Sequence, residues 1–297
     1  KNLNEDKNIS RDLFKGVLLL LIGASMLGGS GIFVKISESS PSLIAFYRSL
    51  FALPFLYFWM KHQEINDSSN IAWSRRNIFF LLLGGLCFAL DMSIWNWSLS
   101  FTSVANATLM ANTAPVFVVI FGIFFLGYTI QLSFILTLFL ALIGVLMVVL
   151  PGEELMVFGD TLGIAAAVFY AGYILSIKDL THEMKPARTL FLVTVVTTIC
   201  LLPISLIEAK DLRIGWKEFF ILLSYAIFSQ TIAQGMITSG ISKVSAHLSS
   251  LVLLMQPVAA AFYGWVLLQE ILSPLQLFGG LIVLTAIYMA TKNSNPT

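Results

Sequence analysis

One acidic residue stands inside a long apolar segment of this sequence. Asp91 lies in the run 78–98, which contains no other charged residue. A carboxylate in hydrocarbon is costly, so it must take up a proton or face a cation. Asp91 is therefore a candidate ligand for a substrate amine or a candidate proton carrier. The alternative is a hydrogen bond or ion pair that only holds two helices together.

Trp95 follows Asp91 by four residues, which places both side chains on one face if the run is helical. At a rise of 1.5 Å per residue, Asp91 lies about 20 Å from the inner end of that helix. An aromatic ring beside a carboxylate suits an organic cation or an aromatic substrate. The alternative for Trp95 is an interfacial position near the end of the helix.

Two further segments carry amide side chains beside a proline. Asn112 precedes Pro115, and Gln256 directly precedes Pro257. A proline inside a helix removes one backbone hydrogen bond and kinks the helix. In a membrane the freed carbonyl is tolerated where it is buried in protein or faces a wet cavity. We predict that Pro115 and Pro257 are hinges around a central site and that Asn112 and Gln256 contact substrate. Packing and hydrogen bonding between helices are the alternatives.

Two pairs of polar residues lie on adjacent turns of other apolar runs. Tyr170 and Tyr173 stand among small residues, and we expect one of them to line a cavity while the other packs. Gln230 and Gln234 share a helix face at a spacing of four. Because an amide pair facing lipid is unfavourable, we predict that this face borders a polar cavity.

Other polar residues in the apolar runs have simpler interpretations. Arg48 lies about two turns into its run, and we expect it to reach the interface or a neighbouring carbonyl rather than substrate. His247 begins a run; a histidine at a helix start is the simpler interpretation and a proton switch the alternative. Cys87 and Cys200 should be free thiols, with no metal site and no cofactor.

The elements that position these residues follow from the composition. Of 297 residues, 58% are apolar and 11% are charged, whereas about 25% charged is ordinary for a soluble domain. The apolar residues form runs of about 20, the length of helix that crosses a ~30 Å hydrocarbon core. We predict an all-α integral membrane protein with ten transmembrane helices, spans 1 to 10, at 14–36, 42–60, 78–98, 103–126, 131–150, 160–178, 189–207, 218–240, 245–269 and 274–291.

The distribution of charge predicts the topology. A formal net charge of +1 gives no reason to expect a nucleic-acid partner. Lysine and arginine concentrate before span 1, after span 10, and between spans 2 and 3, 6 and 7, and 8 and 9. Positive charge stays cytoplasmic, so both termini should face the cytoplasm of a bacterial cell, with the chain multi-pass in its cytoplasmic (inner) membrane. We expect a monomer or homodimer whose partners are the lipid bilayer, a small-molecule substrate and, if transport is coupled to them, protons.

The two halves of the chain resemble each other. A shift of 142 or 143 positions aligns glycines, lysines and prolines, among them Gly29 with Gly172, Lys35 with Lys178, and Pro115 with Pro257. Each half holds five helices, and because five is odd the second half must be inverted. We predict repeats at 14–150 and 160–291, an external linker at 151–159, and cytoplasmic tails at 1–13 and 292–297.

Several motifs resemble those of the EamA family in the drug/metabolite transporter superfamily. They are LGGSGIFVK at 27–35, IAFYR at 44–48, SLSFTSVANA at 98–107 leading to Pro115, KVSA at 243–246 leading to Pro257, and QE at 269–270. Leu27 stands where the family often has Trp, and Tyr128 where it often has Glu. The resemblance implies export or exchange of a small metabolite, often an amino acid, through a cavity lined mainly by spans 1, 3, 4, 6, 8 and 9.

Three classes of function remain open from the sequence. The first is a secondary transporter working by alternating access, proton-coupled or an exchanger, because no Walker motif is present. The second is an intramembrane enzyme, since residues 28–31 fit the G-x-S-G pattern of rhomboid-type serine proteases and His247 would be a distant base. The third is a channel or scaffold. The repeated halves favour the transporter, so we expect no enzymatic activity.

Overall fold

The computed structural model describes residues 3–65, 73–102, 104–149, 157–209, 212–269 and 271–293. Regular secondary structure in these ranges is helical, with no strand. Within the described part of the chain, ten helical stretches are long and apolar enough to cross a membrane, and they overlap the predicted spans, so the all-α ten-helix fold class is confirmed. Spans 1 to 10 are Ser10–Ile36, Pro41–Ile65, Arg75–Ser98, Asn106–Leu126, Leu132–Val149, Val157–Glu183, Pro186–Ala209, Trp216–Ile241, Ala246–Leu267 and Pro274–Asn293.

The predicted segment boundaries fall close to these helices. The helix of span 1 starts at Leu3, inside the predicted tail 1–13. Of the predicted linker 151–159, residues 151–156 lie outside the described ranges, and 157–159 begin span 6.

Four spans are interrupted rather than continuous. Span 1 contains the helices Leu3–Gly28 and Ser30–Ile36, and span 4 contains Val104–Ala111 and Ala114–Leu126. Span 9 contains Ala246–Val252 and Met255–Leu268. Span 8 contains Trp216–Tyr225, a π-helix at Ala226–Ala233, and Gln234–Ile241. Each interruption lies inside its span, away from both ends. Because the interior of a membrane lacks water, the freed backbone groups must bond to protein groups or face a cavity.

Pro115 and Pro257 lie just after two of these interruptions. Pro115 is the second residue of its helix and Pro257 the third. A first-turn proline loses no intrahelical hydrogen bond, because its missing N–H would have no partner there. The helices therefore restart at the prolines, where the sequence predicted a kink in a continuous helix. The preceding turns tighten in the same way: the N–H of Thr113 donates to Met110 at 3.1 Å, and that of Leu254 to Leu251 at 3.1 Å.

Spans 4 and 9 also end alike. Gly127 and Gln269 both adopt the left-handed conformation, with φ of 67° and 56°. Their N–H groups donate to the carbonyls of Gly122 and Gly264. A left-handed residue after the last turn is a common helix C-terminus, and glycine is favoured there. The two turns lie 142 positions apart, the shift that aligns the halves of the sequence.

Packing between the halves follows a reciprocal pattern. Span 3 packs on span 6 and span 8 on span 1; span 4 packs on span 6 and span 9 on span 1; spans 2 and 7, and spans 5 and 10, pack on each other. Glycines bring some of these backbones close together. A Cβ on Gly144 would lie 2.9 Å from the Gly279 carbonyl oxygen, and one on Gly279 would lie 2.6 Å from that of Gly144. Small residues permit this approach in membrane helices.

Candidate functional site

A cavity of about 120 Å³ lies where the four interrupted spans meet. An engineered apolar cavity of ~150 Å³ in another protein binds benzene, so a cavity of this size has room for a small molecule. Its wall includes residues beside each interruption, namely Gly28, Ser30, Ala111, Asn112, Ala114, Gln234, Leu253 and Gln256. Irregular backbone in a membrane is tolerated beside a cavity, which accounts for the position of the four interruptions.

Asp91 and Trp95 line this cavity from span 3, together with Phe88. Asp91 is half-buried, and no group in the described part of the chain is hydrogen bonded to its carboxylate. The positive charge that acts on Asp91 is that of Arg48. Asp91 is therefore a carboxylate whose hydrogen-bonding capacity is available to a ligand.

Arg48 of span 2 reaches the same cavity. Its side chain is only 7% exposed, and its Nη1 donates to the Tyr225 hydroxyl at 3.1 Å. The guanidinium lies 5.0 Å from the centre of the Tyr225 ring and 5.9 Å from that of Phe88. The expectation that Arg48 reaches the interface or a carbonyl was wrong. Its hydrogen bond to the Tyr225 hydroxyl and its contacts with the rings of Tyr225 and Phe88 keep it inside the helix bundle.

A depth argument would have found Arg48 from the sequence. Span 2 starts at Pro41 and span 3 ends at Ser98, so Arg48 and Asp91 each lie seven residues from that end of their span. At 1.5 Å per residue both are about 10 Å deep. Opposite charges at one depth in neighbouring spans are expected to face a common space.

The other predicted site residues divide into two groups. Asn112, Tyr170, Gln234 and Gln256 line the cavity, as does Pro115. Asn112 lies at the break in span 4, where its Nδ2 donates a hydrogen bond to the Thr108 carbonyl at 2.7 Å.

Tyr173, Gln230 and Pro257 are not in the cavity wall. Tyr173 is fully buried, stacks on Phe88 at 4.2 Å, and accepts a hydrogen bond from Gln234 Nε2 at 2.8 Å. Gln230 points to span 7, where its Nε2 donates to Thr194 at 3.2 Å. Tyr170 thus lines the cavity and Tyr173 packs behind it, whereas Gln230 and Gln234 do not share a cavity-facing surface. The reason is that Gln230 lies inside the π-helix Ala226–Ala233, in which the angular spacing of residues differs from that of an α-helix.

The residues of the protease hypothesis are not paired with each other. Ser30 Oγ lies 2.9 Å from Ser229 Oγ, and His247 Nε2 lies 3.0 Å from Ser245 Oγ. The His247 ring packs edge-on against Phe134, with centroids 4.8 Å apart. A nucleophile needs a base within hydrogen-bond reach, and this pair lacks that contact. Within the described ranges, no group of three or more His, Cys, Asp or Glu could hold a metal ion.

Comparison with known proteins finds matches along nearly the whole chain. The model of the EamA-like transporter family matches residues 14–150 and 157–292. The pseudopaline exporter of Pseudomonas aeruginosa is 27% identical over 285 residues, which cover 93% of this chain and 95% of that protein. An uncharacterised transporter of Archaeoglobus fulgidus is 25% identical over 292 residues, covering 94% and 98% of the two chains.

Two further matches are more distant or partial. A riboflavin transporter of Brucella anthropi is 27% identical over 150 residues, covering 48% of this chain and 52% of that protein. A solved crystal structure superposes with a TM-score of 0.75 over 97% of this chain and 98% of the other, at 14% identity. At that identity the superposition shows a shared fold.

Proposed function

Because the chain belongs to the EamA-like transporter family, and is thus a multi-pass membrane transporter, we propose that it is a secondary transporter for a small amine-bearing metabolite. We place it in a bacterial cytoplasmic membrane with both termini in the cytoplasm, as its lysines and arginines indicate. One observation carries the proposal: Asp91, without a hydrogen-bond partner in the described structure, faces a cavity formed at the breaks of four membrane spans.

Alternating access is the proposed mechanism, with two inverted five-span repeats exchanging shapes around the cavity. The reciprocal packing of the halves and the matched breaks at Pro115 and Pro257 support it. The halves also differ. Span 1 is interrupted at Gly29, whereas the aligned Gly172 lies inside the continuous helix Val157–Glu183. If the two repeats exchanged these conformations, the cavity would open to the other side of the membrane.

The proposed substrate contact is between a substrate amine and the Asp91 carboxylate, with the Trp95 ring beside it. A charge-assisted hydrogen bond to a half-buried carboxylate is strong and directional, and an indole ring attracts a cation. The curated relatives named for export of pseudopaline and transport of riboflavin support a small-molecule cargo. The driving force would be a proton carried by Asp91 or an exchanged second substrate.

A binding screen tests this proposal. Purified protein is screened by thermal shift against a metabolite library, and each ligand that raises the melting temperature is repeated on Asp91→Asn. The control is Glu38→Gln, whose carboxylate is exposed and paired with Lys217 at 2.9 Å. We expect Asp91→Asn to lose the shift and the control to keep it.

Uptake into proteoliposomes then separates a transporter from a channel. Saturable uptake that is stimulated by unlabelled substrate inside the vesicle indicates a carrier. Unaltered binding and uptake by Asp91→Asn across the pH range would remove Asp91 from the site.

A further inference from the structure

We propose that Lys178 and Lys35 are alternating latches, that is, lysines that bond the ends of two helices and so close one end of the bundle. Lys178 closes its end in the present structure, and Lys35 closes the opposite end in the alternate state. This inference rests on the proposed alternating-access function and adds to it the residues that hold each closed state. Neither lysine lines the central cavity.

Lys178 joins spans 6 and 8 near the points where both helices finish. Its side chain is partly buried, and its Nζ donates to the Ile241 carbonyl at 3.1 Å. Ile241 is the last residue of its helix, so its carbonyl has no intrahelical donor and carries part of the negative end of the helix dipole. A lysine is a favourable partner for such a carbonyl.

The bundle is closely packed between this contact and the cavity. Ile177 of span 6 and Ile237 of span 8 are fully buried. Nearer the cavity, Gln234 Nε2 of span 8 donates to the Tyr173 hydroxyl of span 6 at 2.8 Å. These residues separate the cavity from the surface at this end of the bundle, which we call the closed end.

The aligned residues at the other end, which we call the open end, are packed less closely. Lys35 aligns with Lys178 at a shift of 143, is exposed, and is hydrogen bonded to none of the described residues. Val34 and Trp95 align with the two buried isoleucines at shifts of 143 and 142, and both are partly exposed. The cavity lining reaches Asn96, two residues before the end of span 3. The cavity therefore extends toward the open end.

The Leu99 carbonyl corresponds to that of Ile241, 142 positions later. Spans 1 and 3 both finish at the open end, as spans 6 and 8 both finish at the closed end, because successive spans run in opposite directions. The turns after spans 3 and 8 contain the same backbone hydrogen bond at 2.9 Å, from Phe101 N–H to the Ser98 carbonyl and from Lys243 N–H to the Gly240 carbonyl. We therefore expect Lys35 to bond the Leu99 carbonyl when spans 1 and 3 approach each other.

Spans 3 and 6 form one closely packed pair. A Cβ on Gly84 of span 3 would lie 2.9 Å from the Cβ of Ser176 in span 6. At the closed end, Arg76 Nε donates to the Asp179 carboxylate at 3.2 Å. Close approach of the helices and an ion pair between their ends lead us to expect that spans 3 and 6 move as one body.

Spans 1 and 8 form the corresponding second pair. A Cβ on Gly240 of span 8 would lie 2.9 Å from the Gly16 carbonyl oxygen of span 1. At the open end, Glu38, which follows span 1, is paired with Lys217 at the start of span 8, at 2.9 Å. Each latch contact crosses from one pair of spans to the other. Rocking of the two pairs would thus break one latch contact while it forms the other.

A lysine suits a contact that must form and break. Near the end of a span, its long side chain can keep the ammonium group in water while the contact is absent. Each state then has one bonded lysine and one solvated lysine, which keeps the two states close in free energy. Removal of one lysine should therefore favour the state that the other lysine holds.

Distances between spin labels on the full-length protein in lipid nanodiscs test the proposal. Labels at His182 and Ser242 report on the closed end, and labels at Ile36 and Ser100 report on the open end. Both native cysteines are replaced by serine, so that each label has a single attachment site. We expect short and long distances at each end in the wild type, the long distance at one end accompanying the short distance at the other.

Charge-removing variants assign each latch to its end. Lys178→Gln should lower the ratio of short to long distances about 5-fold at the closed end and raise it at the open end. Lys35→Gln should do the reverse, and the double variant should return both ratios toward the wild type. Lys243→Gln is the matched control at the closed end, because Lys243 bonds to Asp12 at 2.9 Å within the pair of spans 1 and 8. The control should leave both ratios unchanged.

Two results would overturn the inference. One is a Lys178→Gln variant with the same ratios as Lys243→Gln. The other is a Lys35→Gln variant that leaves both ratios unchanged or shifts them in the same direction as Lys178→Gln. Because Lys35 is exposed, its variant should fold and decides the matter even if Lys178→Gln does not fold.

The distances are measured without substrate, so they separate the latches from the proposed substrate contact. Ratios that shift as expected support the latches even if the metabolite screen finds no ligand that depends on Asp91. Conversely, ratios that ignore both lysines refute the latches and leave the substrate contact to that screen.

Discussion

Gly28 of span 1 lies against the backbone of Gln256 in span 9. A Cβ at position 28 would be 2.6 Å from the Gln256 carbonyl oxygen and 3.0 Å from the Ala260 nitrogen. Both residues line the cavity, beside the breaks of their spans. This contact joins an interrupted span of the first half to one of the second, so it fixes one wall of the cavity.

Gly28→Ala should therefore destabilise the protein and impair transport. The added methyl would meet backbone atoms, which cannot move as a side-chain tip can, and overpacking of this kind costs about 1–3 kcal/mol. Gly29→Ala is the matched control, because its nearest non-local contact would be an ordinary 3.5 Å from Tyr263. Thermal unfolding in detergent compares the two. Equal melting temperatures would contradict the close contact.

The left-handed residues at 127 and 269 predict two substitutions with opposite effects. Gly127→Ala should destabilise the fold and Gln269→Gly should stabilise it, each by about 1 kcal/mol, because a side chain is strained at positive φ. A Cβ at Gly127 would meet nothing within 4 Å, so its cost comes from the backbone alone. Denaturant or thermal unfolding measures both variants. Shifts of the same sign would show that the two turns are not equivalent.

Tyr170 and Tyr173 should respond differently to loss of the hydroxyl. Tyr173→Phe leaves Gln234 Nε2 without its acceptor inside the bundle, a loss of about 1–3 kcal/mol. The Tyr170 hydroxyl has no hydrogen-bond partner among the described residues, so Tyr170→Phe should leave stability near that of the wild type. Binding should change more for Tyr170→Phe, because Tyr170 lines the cavity. A reversed order of melting temperatures would refute this assignment.

Glu208 is predicted to hold spans 2, 3 and 7 together at one end of the bundle. One carboxylate oxygen accepts the Ser42 N–H at 2.8 Å and the other accepts Trp97 Nε1 at 2.9 Å. Glu208→Ala leaves both donors without a partner and should cost about 2 kcal/mol or more. The exposed Glu38 is the control: Glu38→Ala should leave the melting temperature unchanged, since solvated ion pairs contribute little.

The ten spans and the paired breaks were accessible from the sequence because they depend on local properties. A run of about 20 apolar residues has to cross the bilayer as a helix, whatever its neighbours. Pro115 and Pro257 mark irregular backbone because proline lacks an N–H, although that property alone did not distinguish a kink from a restart. Asp91 could be selected because an ionisable group inside a membrane needs a partner or a cavity.

The sequence by itself determined the all-helical fold, the number of spans and the membrane carboxylate Asp91, since each follows from composition and spacing along the chain. Only the tertiary structure decided which side chains meet. It brought Arg48 to the cavity that Asp91 lines, left Tyr170 in the wall and Tyr173 behind it, and turned Gln230 to span 7. The physical reason is that helix rotation and contact depend on packing against other spans, and the π-helix in span 8 shifts the helix faces in a way that the sequence spacing does not show.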